Sequence, residues 1–279
     1  MTSTLTDERA VDLLLAECGR LAGEAFGARL RSMYLIGSLA HGGFAPEISD
    51  IAVALLLAAP LVESDSEQIA ALAAYCAAAH PLYGRRLSLF WSTAEAFADT
   101  EAVAVPGRFL ALDRLDLVDH GRLFSGEALR AGLAPPTRAA VLANARADLL
   151  RFVRDPARYG FLTGGAERDF ADRKALARLC LFPARFRYTA TTGRIASNEL
   201  AAEYFRDRTS APDREIVALG LALRRDAARE PTDAERAFLA EHLPPHYYQF
   251  LLDFLAILGT PPPAKGATMP MLLAALDGS

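Results

Sequence analysis

Two short stretches carry residue types that could do chemistry together. Tyr34-Leu35-Ile36 runs into Gly37-Ser38, and about ten residues further on Ser49-Asp50-Ile51-Ala52-Val53 opens a second apolar run. A Gly-Ser turn lets backbone N–H groups come close to an anion such as a phosphate, because glycine has no side chain in the way. A carboxylate at the start of the second run, Asp50, can hold a cation or take a proton. Between them His41 stands beside Gly42 and Gly43. It is read either as an acid, base or phosphate contact at a loop tip or as an exposed loop residue.

These residues need strands and helices to hold them. Residues 7–29 place Ala10, Leu13, Leu14, Cys18 and Leu21 at helical spacing. Ser32–Ile36 is β-prone and ends at Gly37, Asp50–Leu57 is an apolar run of strand length, and residues 65–80 read as an Ala-rich helix. Leu87–Trp91 is a third strand, and Leu115–Asp119 a weaker fourth. Pro135-Pro136 marks a boundary, after which the pattern is helical. Helices are expected over residues 137–154 and 166–191, with Pro183 kinking the second or starting a new one. Ser197 and Ser210 are expected N-caps, Thr232 with Glu235 a capping box, and residues 245–258 an aromatic-rich helix stopped by Gly259. The expectation is an α+β chain: residues 1–135 form a mixed β-sheet with helices, and residues 136–279 an all-α bundle.

The order of strand, Gly37-Ser38 and the Ser49-Asp50-Ile51 strand resembles the signature of the polymerase-β-like nucleotidyltransferase superfamily. In that signature Asp-x-Asp puts two carboxylates on one face of a strand, and a third from a neighbouring strand completes a magnesium cage. The metals neutralise a triphosphate and align an oxygen nucleophile. Further along, Phe186-Arg187-Tyr188-Thr189-Ala190-Thr191-Thr192-Gly193-Arg194-Ile195 through Ala202 is similar to the helical domain of aminoglycoside adenylyltransferases of the streptomycin/spectinomycin type. Asp113 through Gly126 resembles the segment that closes that family's first domain. The resemblance covers most of residues 30–255. It implies a nucleotidyltransferase-fold domain, a helical domain, and a cleft between them where ATP and the antibiotic meet. It also implies that Ser38 contacts phosphate, Asp50 binds magnesium and Arg185 reaches the triphosphate.

The pattern breaks at three positions. The second aspartate of Asp-x-Asp is Ala52, the third carboxylate falls on Ser88, and a phosphate-binding lysine expected before Glu199 is Asn198. Arg85 through Trp91 contains no Asp or Glu. One carboxylate is a poor site for a hard dication that wants several oxygen ligands. Without metals, the charge that builds up in phosphoryl transfer lacks its main stabiliser. The sequence therefore predicts a protein that does not transfer AMP and expects no cofactor. It would bind, or act metal-independently on, a small natural-product-like molecule. The alternative is an active enzyme using ATP and Mg, with a substitute carboxylate from Glu47, Asp113 or Asp116; Glu47 is the nearest in sequence. Candidate catalytic residues are Asp50 and His41; Asp50 is either a lone general base or a structural residue bonding the Gly37-Ser38 turn. Candidate ligand-binding residues are Gly37, Ser38, Ser49, Ser88, Trp91, Arg185 and Asn198, with no metal ligands expected. Trp91 is read either as core or as a stacking platform, and Arg185 as surface or as a surviving anion contact. Asp169 and Asp172 either face a cationic substrate or support Arg173 by local pairing.

Composition narrows the class. Of 279 residues 52% are hydrophobic and 23% charged, a normal balance for a globular chain. The net charge of −4 is uneven. Residues 1–129 carry 9 Lys/Arg against 17 Asp/Glu, a balance of −8, and residues 130–279 carry 21 against 17, a balance of +4. Neither half is basic enough to predict a nucleic-acid partner. Basic residues gather between Arg138 and Arg187, as solvated helix faces or as an anion site. Three widely spaced cysteines (Cys18, Cys76, Cys180), no apolar leader and no run of 18 apolar residues predict a cytoplasmic protein without a membrane span. A monomer or small homo-oligomer is expected.

Overall fold

A computed structural model describes residues 7–164, 173–226, 228–264 and 266–278. The chain divides into two compact units, one up to Ala140 and one from Val141. In the first, helix α1 (Asp7–Phe26) leads to strand β1 (Leu30–Ile36), then β2 (Ile51–Leu57), α2 (Glu63–Ala79) and β3 (Leu87–Thr93). A small ladder of β4 (Ala104–Val105) and β5 (Phe109–Leu110) follows, then α3 (Ala111–His120) and β6 (Arg122–Gly126). The main sheet has the order β3-β2-β1-β6. β1 is antiparallel to both neighbours, while β2 and β3 run parallel.

Both faces of this sheet are covered, which is why β2 reads as a continuous apolar run. Side chains alternate across it. Met33, Leu35, Val53 and Leu55 pack against Val11, Leu14, Leu15 and Cys18 of α1 and Ile69 and Leu72 of α2. Tyr34, Ile36, Ala54 and Leu56 face the other way, onto Phe97, Phe109 and Leu117.

Leu115–Asp119, expected as a strand, lies in α3, and the fourth strand of the sheet is β6. Long-range anchoring decides this. Asp113 Oδ2 accepts the Leu110 N–H (3.2 Å) and starts the helix. Arg114, fully buried, donates to the carbonyls of Ala102 (2.9 Å), Asp99 (2.9 Å) and Phe97 (3.3 Å). Burial lowers the pKa of that guanidinium, and three carbonyl acceptors are what make its burial tolerable.

Helix α4 (Arg138–Val153) straddles the division between the units. The second unit continues with α5 (Pro156–Leu162), α6 (Arg173–Thr192), α7 (Asn198–Arg206), α8 (Ala211–Arg225), α9 (Asp233–Ile257) and α10 (Met269–Asp277). Ser197 Oγ accepts the Leu200 N–H (3.1 Å) and Ser210 Oγ the Asp213 N–H (3.3 Å). Thr232 and Glu235 cap each other's free N–H groups at 3.2 and 2.9 Å. The helix expected over residues 245–258 is the second half of α9, which runs on through Pro244 and Pro245. Asp169 and Asp172 lie outside the described residues.

Pro183 starts no new helix; it is buried inside α6. Proline lacks the N–H that a helix would aim four residues back, at the carbonyl of Leu179. Another helix supplies the donor: the buried Tyr247 hydroxyl of α9 donates to Leu179 O at 2.7 Å. Close approach of α6 and α8 depends on Gly220, where a Cβ would lie 2.6 Å from Cys180 Cβ.

Candidate functional site

The end of β1 meets the starts of β2 and β3. Ile36 pairs with Ala52, and Ala52 pairs with Ser88, so two positions at which the resemblance leads one to expect carboxylates are neighbours on adjacent strands. By the alternation along the strands they share the face that carries Ile36 and α3. Asp50, exposed, immediately precedes β2.

Gly37 leaves β1 with φ +66°, a conformation that favours glycine. A Cβ there would stand 3.6 Å from Ala52 Cβ and 4.0 Å from Asp116 Oδ2. The turn then folds on itself: the N–H groups of Ala40 (2.9 Å) and His41 (3.2 Å) donate to Gly37 O, and that of Gly43 to Ser38 O (3.0 Å). The Gly37 N–H donates outward, to Asp116 Oδ2 at 2.8 Å.

Helix α3 brings a second set of groups to this turn. Asp116 and His120 are four residues apart and so share a helix face. The His120 ring stands edge-on to His41, centroids 5.4 Å apart. Arg122, the first residue of β6, donates to Leu39 O (3.1 Å), and Arg86 donates to Ser49 O (3.2 Å). Two imidazoles, two carboxylates and two guanidinium groups thus belong to segments that converge on one end of the sheet. Such a set can hold polar ligand groups and move protons.

The predicted residues divide accordingly. Gly37, Ser38, His41, Asp50 and Ser88 belong to this end of the sheet. Ser49 is buried in the loop, and its hydroxyl accepts the Ala45 N–H (2.9 Å), a structural bond. Trp91 does not line the same surface as Ser88. It pairs with Leu55 further along the ladder, points to the opposite face and packs against the α1/α2 core. It lies three positions after Ser88, an odd offset, which puts it on the other side of the sheet. Arg185 and Asn198 belong to the second unit: Arg185 is exposed on α6, and Asn198 is buried at the start of α7. Of the substitute carboxylates, Asp113 is committed to capping α3, Glu47 lies exposed in the loop, and Asp116 is at the turn.

Among the described residues no three His, Cys, Asp or Glu side chains gather as a metal ion requires. Ala52 and Ser88, paired on adjacent strands, carry no carboxylate.

Sequence reasoning missed His120, Arg86 and Arg122. It also missed a part-buried pair in the second unit, where the Nδ1 of the buried His246 lies 2.7 Å from Asp213 Oδ1. That bond, aided by Ser210 and opposed by burial, lowers the Asp213 pKa to about 2. The pair ties α9 to α8. A groove of about 500 Å³ between α5, α9 and α10 is lined by Tyr159, Leu162, Tyr248 and Met269 among others. Its lining holds no carboxylate, imidazole or cationic group, and it contains none of the residues gathered at Gly37.

No protein-family model matches the chain, and no curated protein matches it. A solved structure does: spectinomycin adenyltransferase AAD(9) from Enterococcus faecialis, crystallised with ATP and spectinomycin. The match has a TM-score of 0.57 and spans 85% of this chain and 99% of that one. The chain has an aminoglycoside nucleotidyltransferase-like fold. At 14% sequence identity the likeness is one of fold, and function rests on the site. The nucleotidyltransferase-type sheet with a helical second unit agrees with the α+β architecture expected from the sequence. Among the described residues no helix is long and apolar enough to cross a membrane.

Proposed function

We propose that this chain is a nucleotidyltransferase-fold protein that does not transfer AMP. It binds, or acts without metal on, a small molecule of natural-product type at the Gly37 end of its sheet. One observation carries this above the others: Ala52 and Ser88 are paired on adjacent strands beside the Gly37 turn. Neither side chain offers the anionic oxygens a hard dication needs. Losing a general base costs about 10²–10⁴ in rate, and losing a metal ligand with it removes the charge stabilisation as well.

His41, His120 and Asp50 are the groups we assign to acid–base or polar contact with the ligand. Arg185 and Asn198, within the second unit, are kept as separate candidates for ligand contact there. A small-molecule ligand is supported by the fold relative, which was crystallised with ATP and spectinomycin. We also propose a cytoplasmic setting, in keeping with three buried free thiols.

The competing activity, magnesium-dependent adenylylation of an aminoglycoside-like hydroxyl, has Asp116 in its favour as a relocated carboxylate. Its Oδ2 is already engaged by the Gly37 N–H, and a magnesium cage needs more than one such group. The test is incubation with ATP, magnesium and spectinomycin or streptomycin, followed by mass spectrometry. Unmodified antibiotic is expected; an adenylylated product would overturn the proposal.

A further inference from the structure

We propose that Asp116 sets the ligand preference of the Gly37-Ser38 turn. It fills from within the protein the place an anionic group would take, and so turns the site against phosphate-bearing ligands. This rests on the reading that the site has left metal-nucleotide chemistry.

A Gly-Ser turn receives an anion through backbone N–H groups. Here the Gly37 amide and three that follow it are committed. Gly37 N–H points at Asp116 Oδ2 (2.8 Å), a hydrogen bond strengthened when its acceptor is ionised. The amides of Ala40, His41 and Gly43 are turned onto the loop's own carbonyls. The carboxylate lies over the bare glycine, 4.0 Å from where a Cβ would be, in the space that lets a ligand approach the backbone.

Asp116 is also held firmly. It sits on α3 between Asp113, which caps the helix, and Arg122, which follows it and grips Leu39 O. One residue back in the chain from Leu115, Arg114 pins the helix through three carbonyls. An incoming phosphate would therefore meet a fixed negative charge and an occupied donor. Two guanidinium groups, with the carboxylate of Asp50, belong to the same end of the sheet. Arg122 is on Leu39 O, Arg86 on Ser49 O, and the His41 and His120 rings stand together. With the carboxylate removed, the released Gly37 N–H and the guanidinium groups of Arg86 and Arg122 favour an anion.

The test is titration of the full-length protein with tripolyphosphate in the absence of magnesium, read by calorimetry. Wild type is compared with Asp116→Ala and Asp116→Asn. Binding at least tenfold tighter than wild type is expected for Asp116→Ala. A smaller gain is expected for Asp116→Asn, whose amide oxygen still accepts the Gly37 N–H without the charge. Thermal unfolding checks that each variant is folded. If the alanine variant does not fold, the near-isosteric asparagine variant decides. Variants that bind no tighter than wild type overturn the proposal. Failure of the parent reading looks different: it is magnesium-dependent ATP binding by the wild type.

Discussion

Tyr247→Phe removes a single oxygen and keeps the shape of the ring, so it probes one hydrogen bond without opening a cavity. The hydroxyl is buried and donates to Leu179 O at 2.7 Å. Leu179 is the residue whose carbonyl Pro183 leaves without its helical donor, and it too is buried. Losing the hydroxyl strands a buried carbonyl, and an unsatisfied group of this kind costs about 1–3 kcal/mol. We expect about 2 kcal/mol, because neither partner reaches solvent. Pro183→Ala restores an N–H aimed at the same carbonyl. In that background the cost of Tyr247→Phe should fall below about 1 kcal/mol, giving a coupling of about 1 kcal/mol or more in the double-mutant cycle. Urea denaturation of the four proteins measures it. A cost of Tyr247→Phe below about 0.5 kcal/mol, or one equal in both backgrounds, would refute the claim that α9 repairs the proline break in α6.

Asp65 is 1% exposed and bridges Arg29 through two bonds (2.7 and 2.8 Å) while accepting the Val62 N–H (2.8 Å). Asp65→Ala should cost about 2–3 kcal/mol by thermal unfolding at neutral pH, at the lower end for a broken pair because Arg29 can rehydrate. The Arg29 bond lowers the Asp65 pKa against the opposing effect of burial. Its stabilisation is therefore present above the ordinary aspartate range and fades as pH falls through the lowered value; a gap between wild type and Asp65→Ala that widens on acidification would contradict the assignment. Ala52→Asp with Ser88→Glu puts carboxylates on strands about 4.8 Å apart, within reach of one magnesium ion. The double variant should show magnesium-dependent heat in calorimetry that the wild type lacks, and no gain would mean that this is not the strand position a metal site would use.

Local patterns made β1, β2, β3 and the Gly37 turn legible, because apolar runs ending in glycine are decided over a few residues. The three caps at Ser197, Ser210 and Thr232 were readable for the same reason, since each bond spans three residues. Contacts between distant residues were not. Leu115–Asp119 alternates like a strand, and nothing nearby reveals that Arg114 will be drawn inside by carbonyls 12 to 17 residues away. Reading that segment as a strand hid the four-residue spacing that sets Asp116 and His120 on one helix face. Asp116 was a candidate carboxylate, but its bond to Gly37 spans 79 residues. For Trp91 the core and stacking readings both stood until the ends of β3 were known, which put it against the α1/α2 core and on the face opposite Ser88. The Tyr247 hydroxyl, 68 residues from Leu179, explains why Pro183 does not break α6, and no local rule exposes it.

Calorimetric titration of the wild-type protein with ATP, with and without magnesium, tests most directly whether the metal-nucleotide site is gone. On the proposed function no magnesium-dependent binding is expected, because neither Ala52 nor Ser88 offers an anionic oxygen. Magnesium-dependent binding at micromolar strength, about −8 kcal/mol, would contradict the account.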